Sequence, residues 1–228
     1  ARKLLNLLEM TLAMALEQHP DETTVQLTGE AITSVARRQP AAVDRDGELH
    51  YDIVSAFIKS IRGSDPDAAL YWMARLIEGG EEPRFIARRV VISAAEDIGL
   101  ANPQALVVAQ AAADAVDFIG WPEGRIPLAE AVVYLAGSPK SNSAYLAIDA
   151  ALAKVRETGN LPVPLHLRNA PTKLMSDLGY GVDYRYPHDY PKHYTRQQYL
   201  PDELVDAQFY MPQQVGQAER TLSSYLDF

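Results

Sequence analysis

The amino-acid sequence predicts an all-α protein: the end of a helical domain, then a helical bundle with an aromatic-rich, largely irregular C-terminal tail. Apolar residues recur at spacings of three and four along most of the chain, which is the one-sided stripe of an amphipathic helix. Acidic or amide residues followed by proline open these stripes, and glycines close them, as helix caps require. Between residues 51 and 159 no apolar/polar alternation of the strand kind is sustained.

From Arg2 to Gln18, Leu5, Leu8, Leu12 and Leu16 form the first stripe, and His19-Pro20-Asp21 ends it. The chain enters this pattern at once from Ala1, without a cap or strand before it, so the expectation is the edge of a longer protein. Thr28 with Ala31, Ile32 and Val35 predicts a second, short helix that closes before Gln39-Pro40. Residues 42–49 are acidic and poor in apolar side chains, so a linker at 42–50 is expected to divide a piece at 1–41 from a larger helical domain at 51–228, with its tail from about residue 160. Within that domain Asp52 caps a helix carrying Ile53, Phe57 and Ile61, and Asp65-Pro66 opens a second that carries Leu70, Met73 and Ile77. Glu82-Pro83, Asn102-Pro103, Trp121-Pro122 and Ser141 or Asn142 start four more, the last ending at Thr158-Gly159. Two of these, at 105–115 and 144–153, are built on alanine, whose small side chain lets helix axes approach closely, so each belongs at the centre of a bundle or at a subunit contact. After Gly159, Pro162, Pro164 and Pro171 enforce extended chain, with one short helix at 172–178 and seven tyrosines between Tyr180 and Tyr210. A polar linker would not carry that much aromatic surface.

With 228 residues the chain is long enough to bury a core without staples. It has no cysteine, which removes disulfides, thiolate zinc sites and thiol nucleophiles and fits a reducing compartment. Apolar runs such as 105–108 and 129–136 are too short to span a membrane, and no signal segment is recognisable, so a cytoplasmic protein is expected. A formal charge of −9 argues against indiscriminate coating of nucleic acid, because affinity for phosphate comes from clustered Lys and Arg.

No G-x-x-x-x-G-K-[ST] phosphate loop occurs, nor an apolar strand ending in paired carboxylates that could hold magnesium. The chain alone is therefore expected neither to hydrolyse ATP nor to hold a cofactor. Arg2 opposes the dipole of the helix it opens, which an anion bound nearby would compensate; otherwise the helix starts upstream and Arg2 is simply solvated. Asp183, His188, Asp189 and His193 carry metal-ligating groups, but no helix or strand gathers them on one face and tyrosines interleave them, so no metal site is assigned. Arg84, Arg88 and Arg89 on one helix, and His166, Arg168 and Lys173 in the proline-rich connection, could contact DNA or a partner. A charge-paired surface is the competing reading for the first group, and extended chain able to follow a phosphate backbone favours the second.

Several strings are more specific than any pattern. Arg62-Gly63-Ser64-Asp65-Pro66-Asp67, Ala95-Glu96-Asp97-Ile98-Gly99, Pro139-Lys140-Ser141-Asn142 and Arg168-Asn169-Ala170-Pro171-Thr172-Lys173-Leu174-Met175 resemble, in order, the C-terminal half of the bacterial RarA/MgsA family of AAA+ ATPases, whose eukaryotic relative is the Werner-helicase-interacting ATPase. The resemblance covers nearly the whole chain. It implies that 1–41 ends the AAA+ lid and that Arg2, in Ala1-Arg2-Lys3-Leu4-Leu5, is the sensor-2 arginine that touches the γ-phosphate, although the Gly-Asp that precedes it in the family is not in this sequence. ATP and Mg would be bound by the full-length parent, through a phosphate loop, carboxylates and an arginine finger that lie outside this region. The resemblance further implies a homotetramer, and a clamp-loader-like role in replication, recombination and repair at stalled forks, close to the nucleoid. DNA with single-stranded gaps or fork ends, and single-stranded-DNA-binding protein or polymerase components, are the implied partners. The alternative is a DNA-binding module in which 166–173 and the tail tyrosines hold a single strand by backbone contact and stacking.

Overall fold

The computed structural model describes residues 2–18, 25–38 and 48–226; among these all regular structure is helical. Helix α1 (Arg2–Gln18) packs against α2 (Gly29–Arg38). Thr28 starts α2 as expected, its hydroxyl accepting from the Ala31 N–H at 3.2 Å. Ten-residue α2 is too short to cover the stripe of α1, and Leu5, Leu12 and Leu16 remain exposed.

A bundle follows, made of α3 (Glu48–Arg62), α4 (Pro66–Glu78), α5 (Pro83–Ser93), α6 (Gln104–Ile119) and α7 (Arg125–Gly137). Helix α3 begins at Glu48, four positions before the expected cap at Asp52, so the last three positions assigned to the linker are helical; 42–47 lie outside the described residues. The cause is tertiary. His50 is buried with its Nδ1 3.4 Å from Glu81 Oε2 and its ring 5.5 Å from that of Phe85, and these contacts hold the extra turn. The start of α4 is local: Asp65 Oδ1 accepts from the Ala68 N–H at 2.9 Å and Pro66 occupies the first turn, where its missing N–H costs nothing.

Helix α6 is central. Its Ala105, Ala109, Ala112 and Val116 are buried, four positions on one face that let α5 and α7 approach closely. Around them Phe57 and Ile61 of α3, Leu76 of α4, Ile86 of α5, and Leu128 and Leu135 of α7 have no exposed surface. Between α5 and α6 the chain passes through a π turn (Ala94–Ile98) and a 3₁₀ turn (Gly99–Ala101) in place of one helix continuing to Ile98.

Helix α8 (Ser143–Thr158), the tail and α9 (Lys173–Asp177) come next, with the Thr172 hydroxyl capping α9 at Met175 N–H. The tail ends in a further helix that the sequence pattern did not announce, α10 (Gln217–Leu226). It exists because of two close fits. A Cβ on Gly216 would lie 1.9 Å from the Ala101 carbonyl oxygen, so only glycine lets α10 seat on the 3₁₀ turn. Glu219, with no exposed surface, accepts on Oε1 from the hydroxyls of Ser143 at 2.5 Å and Ser141 at 2.9 Å. Burial pushes its carboxyl up, but those two hydroxyls and the backbone N–H groups of Gln213 and Val215 outweigh it and leave it below its ordinary value of 4.5.

Two expectations follow. Phe57→Ala should lower stability by about 3–5 kcal/mol in urea unfolding, whereas Tyr71→Ala, 58% exposed, should stay within about 0.5 kcal/mol; equal effects would remove Phe57 from the core. Because the carboxyl of Glu219 is depressed on folding, its contribution is complete above the ordinary value of 4.5 and is lost as pH falls through the folded one. Urea melts from about pH 6 to about pH 3 should therefore show a decline in the parent chain that Glu219→Gln flattens, and identical pH profiles would refute the ionised latch.

Candidate assembly surface and the polar junction that presents it

The π turn places Glu96 and Asp97 against the end of α3. Arg62 Nε donates to Asp97 Oδ1 at 2.5 Å and its Nη2 to Glu96 Oε1 at 3.1 Å, and the bond to Asp97 raises the guanidinium pKa. Opposite them Lys140 spends its ammonium protons on Ser64 Oγ at 2.8 Å, Ala136 O at 3.0 Å and Ser138 O at 2.6 Å, while burial pushes its pKa down. Gln213 Nε2 reaches Asn142 Oδ1 at 2.6 Å. Together with Tyr145 these side chains line a polar pocket of about 340 Å³. Two cations balance two carboxylates there, and both cations are bonded within the chain. The arrangement anchors the start of α8 to the bundle and to the tail. Gly99 completes the anchor, since a Cβ there would meet Ser141 O at 2.6 Å.

Beyond that anchor α8 is bare. Ser143 is its one buried residue, and Ala147, Ala151, Lys154 and Thr158 are half-buried. Tyr145, Ile148, Leu152 and Val155 are 42%, 56%, 43% and 57% exposed, and their spacing of three, four and three lines them along one edge. Of the two alanine-rich helices, α6 is the central one and α8 presents apolar surface outward. Phe118 and Ile119 at the end of α6 and Ile126 at the start of α7 are exposed as well.

The cationic residues named from sequence are distributed differently. Arg2 opens α1, and its side chain lies outside the described residues. Arg84 pairs with Asp117 and with Arg88 lines a groove of about 310 Å³ that also contains Asp114; Arg89 lies over the Phe85 ring at 5.1 Å. His166 Nε2 sits 2.7 Å from Gln198 O. Arg168 donates to Val163 O at 2.7 Å and to the Tyr180 hydroxyl at 3.1 Å, over whose ring it also lies. Lys173 is exposed on α9. Arg168 and His166 thus fold the tail, and no more than Lys173 of that group points freely outward. The rings of His188 and His193 meet at a tilt, 4.9 Å between centroids, beside Tyr186, and among the described residues no group of three or more potential ligands could hold a metal. Nor is any described helix long and apolar enough to cross a membrane. Arg62, Asp97, Lys140 and Glu219, which build the junction, were not singled out from sequence: three of them lie within the shared strings, and Glu219 sits in an unremarkable polar run.

Comparison with known proteins adds the family. The model for the MgsA AAA+ ATPase C terminal matches residues 63–228, and that for the AAA C-terminal domain matches residues 1–62. Replication-associated recombination protein A of Bacillus subtilis is 46% identical over 226 residues, 99% of this chain and 53% of the relative. Its Escherichia coli K12 namesake is 46% identical over 217 residues, 95% and 48% of the two chains. ATPase WRNIP1 of Dictyostelium discoideum is 43% identical over 191 residues, 82% of this chain and 21% of that one. The chain spans about half the length of these bacterial relatives. Matched along nearly its whole length, it belongs to the RarA/MgsA family of AAA+ ATPases, of which it carries the C-terminal region.

Proposed function

We propose that this region is the assembly module, with the end of the lid attached, of an AAA+ ATPase acting in DNA replication and recombination. The observation that carries the reading is the exposed apolar edge of α8, whose start is anchored by a charge-balanced junction. Apolar surface of this extent is normally covered by a partner, and closed symmetry between identical chains is the common way to cover it. The number four comes from the family resemblance. Membership in a family whose bacterial members are named for replication-associated recombination supports the setting, and the match of 1–62 to an AAA C-terminal domain supports the lid. In that reading Arg2 meets the γ-phosphate, and ATP, Mg and the hydrolytic groups belong to the remainder of the longer protein. DNA with single-stranded gaps or fork ends, and single-stranded-DNA-binding or polymerase components, are the partners proposed for the whole assembly, in the cytoplasm at the nucleoid.

A second reading, a module that holds single-stranded DNA, draws on the exposed rings of Tyr184, Tyr186 and Tyr199, which could stack bases. It is weakened by the internal bonds of His166 and Arg168.

Light scattering of the pure chain should give four times 25.2 kDa, and a chain that remains monomeric at tens of micromolar would overturn the assembly reading. Binding to single-stranded DNA should be weak and lost steeply with salt; tight binding at high salt, removed by Lys173→Ala, would instead favour the second reading. In the longer ATPase, Arg2→Ala should reduce hydrolysis without unfolding, and wild-type turnover would return Arg2 to a solvated surface role.

A further inference from the structure

Helix α8 carries more information than exposed apolar area. Tyr145, Ile148, Leu152 and Val155 occupy the a and d positions of successive heptads, the register of a two-helix seam. Ser143, Ala147, Ala151, Lys154 and Thr158, on an adjoining face, are buried or half-buried within the chain itself, so the seam faces outward beyond Tyr145, which also borders the junction pocket.

The flanks give the orientation. Asp149 and Arg156 both fall at e positions, one heptad apart, and the g positions are Ala144 and Ala151. In a parallel pair e faces g, so both charges would face alanine. In an antiparallel pair e faces e, and a two-fold axis brings Asp149 of each copy to Arg156 of the other. Arg156 makes no ion pair among the described residues, while Asp149 accepts from the Tyr145 hydroxyl and raises its pKa. Lys154 and Glu157, by contrast, pair within the helix at 2.7 Å. Arg156 is thus the cation of the helix without an ion pair among the described residues, and Asp149 of a second copy would supply one.

The apolar layers agree. Centred near Ala150, the antiparallel register sets Tyr145 against Val155 and Ile148 against Leu152, so each layer joins a branched side chain to a different partner and none stacks Tyr145 on itself. The alanines of the g flank let the two helices lie close. Isologous contacts of this kind are the building unit of dihedral tetramers.

We propose that α8 pairs with α8 of a second copy, antiparallel across a two-fold axis, with a seam of Tyr145, Ile148, Leu152 and Val155 flanked by reciprocal Asp149–Arg156 ion pairs. This rests on the assembly reading above and names its helix, its orientation and its charge code. The occupant is a second copy because the charges complement themselves.

Sedimentation of the whole chain across a concentration series, with circular dichroism to confirm folding, tests it. Asp149→Arg and Arg156→Asp should each weaken association by about tenfold or more, since like charges then face each other, and the double variant D149R/R156D should regain most of the loss. Ile148→Asp should abolish the contact while leaving the helical signal intact, because Ile148 is outside the core. A monomeric parent chain would sink the assembly reading itself. If the parent assembles and all four variants assemble equally well, association survives and α8 pairing is overturned. If the single variants weaken association and the double variant does not recover, the antiparallel charge pairing is overturned.

Discussion

A carboxylate removed from water must be met by donors, and Glu219 draws its donors from residues 76 and 78 positions earlier in the chain. That one interaction joins three things: the C-terminal helix, the loop that launches α8 and, through Gly216 on Ala101, the turn between α5 and α6. Closing so long a loop costs chain entropy, and the tail in between buries little to offset it, since its tyrosines are mostly exposed. The stabilisation is concentrated at its two ends, in the Arg168–Tyr180 contact and in the Glu219 latch.

Two alanine-rich helices with similar composition take opposite positions, and the reason lies in where their large residues fall. In α6 the alanines and Val116 occupy one face and the neighbouring helices close on it. In α8 the large residues line an edge while alanines and Thr158 face the chain, so the small side chains make only a shallow contact and the bulky ones are left outside. Composition offered both outcomes and could not choose between them. The choice depends on which faces the neighbours leave unoccupied, which is a property of the assembled bundle.

What was legible from sequence was local. Thr28, Asp65-Pro66 and Thr172 fix helix starts through bonds within three residues, and a short-range bond reads out of a short string. Three features were not legible. The early start of α3 depends on His50 meeting Glu81; the π turn depends on Asp97 meeting Arg62; and α10 depends on Ser141 and Ser143. Each is made by partners more than thirty positions apart. The junction residues were visible as familiar strings without a role, because nothing in a string says that Arg62, Asp97 and Lys140 neutralise one another.

Pairing within the chain also explains why a search for basic clusters overstates the capacity for phosphate. Arg62, Arg84 and Arg168 each have a carboxylate, carbonyl or hydroxyl acceptor within the chain, and Arg89 and Arg168 each lie over an aromatic ring. A guanidinium already hydrogen-bonded must break those bonds to take a new anion, so its attraction is reduced by what it gives up. Spread over a molecule of net charge −9, such cations offer phosphate less than their number suggests. The exposed edge of α8, by contrast, is apolar. On α8, Arg156 keeps its charge unspent beside a seam that its own chain does not cover.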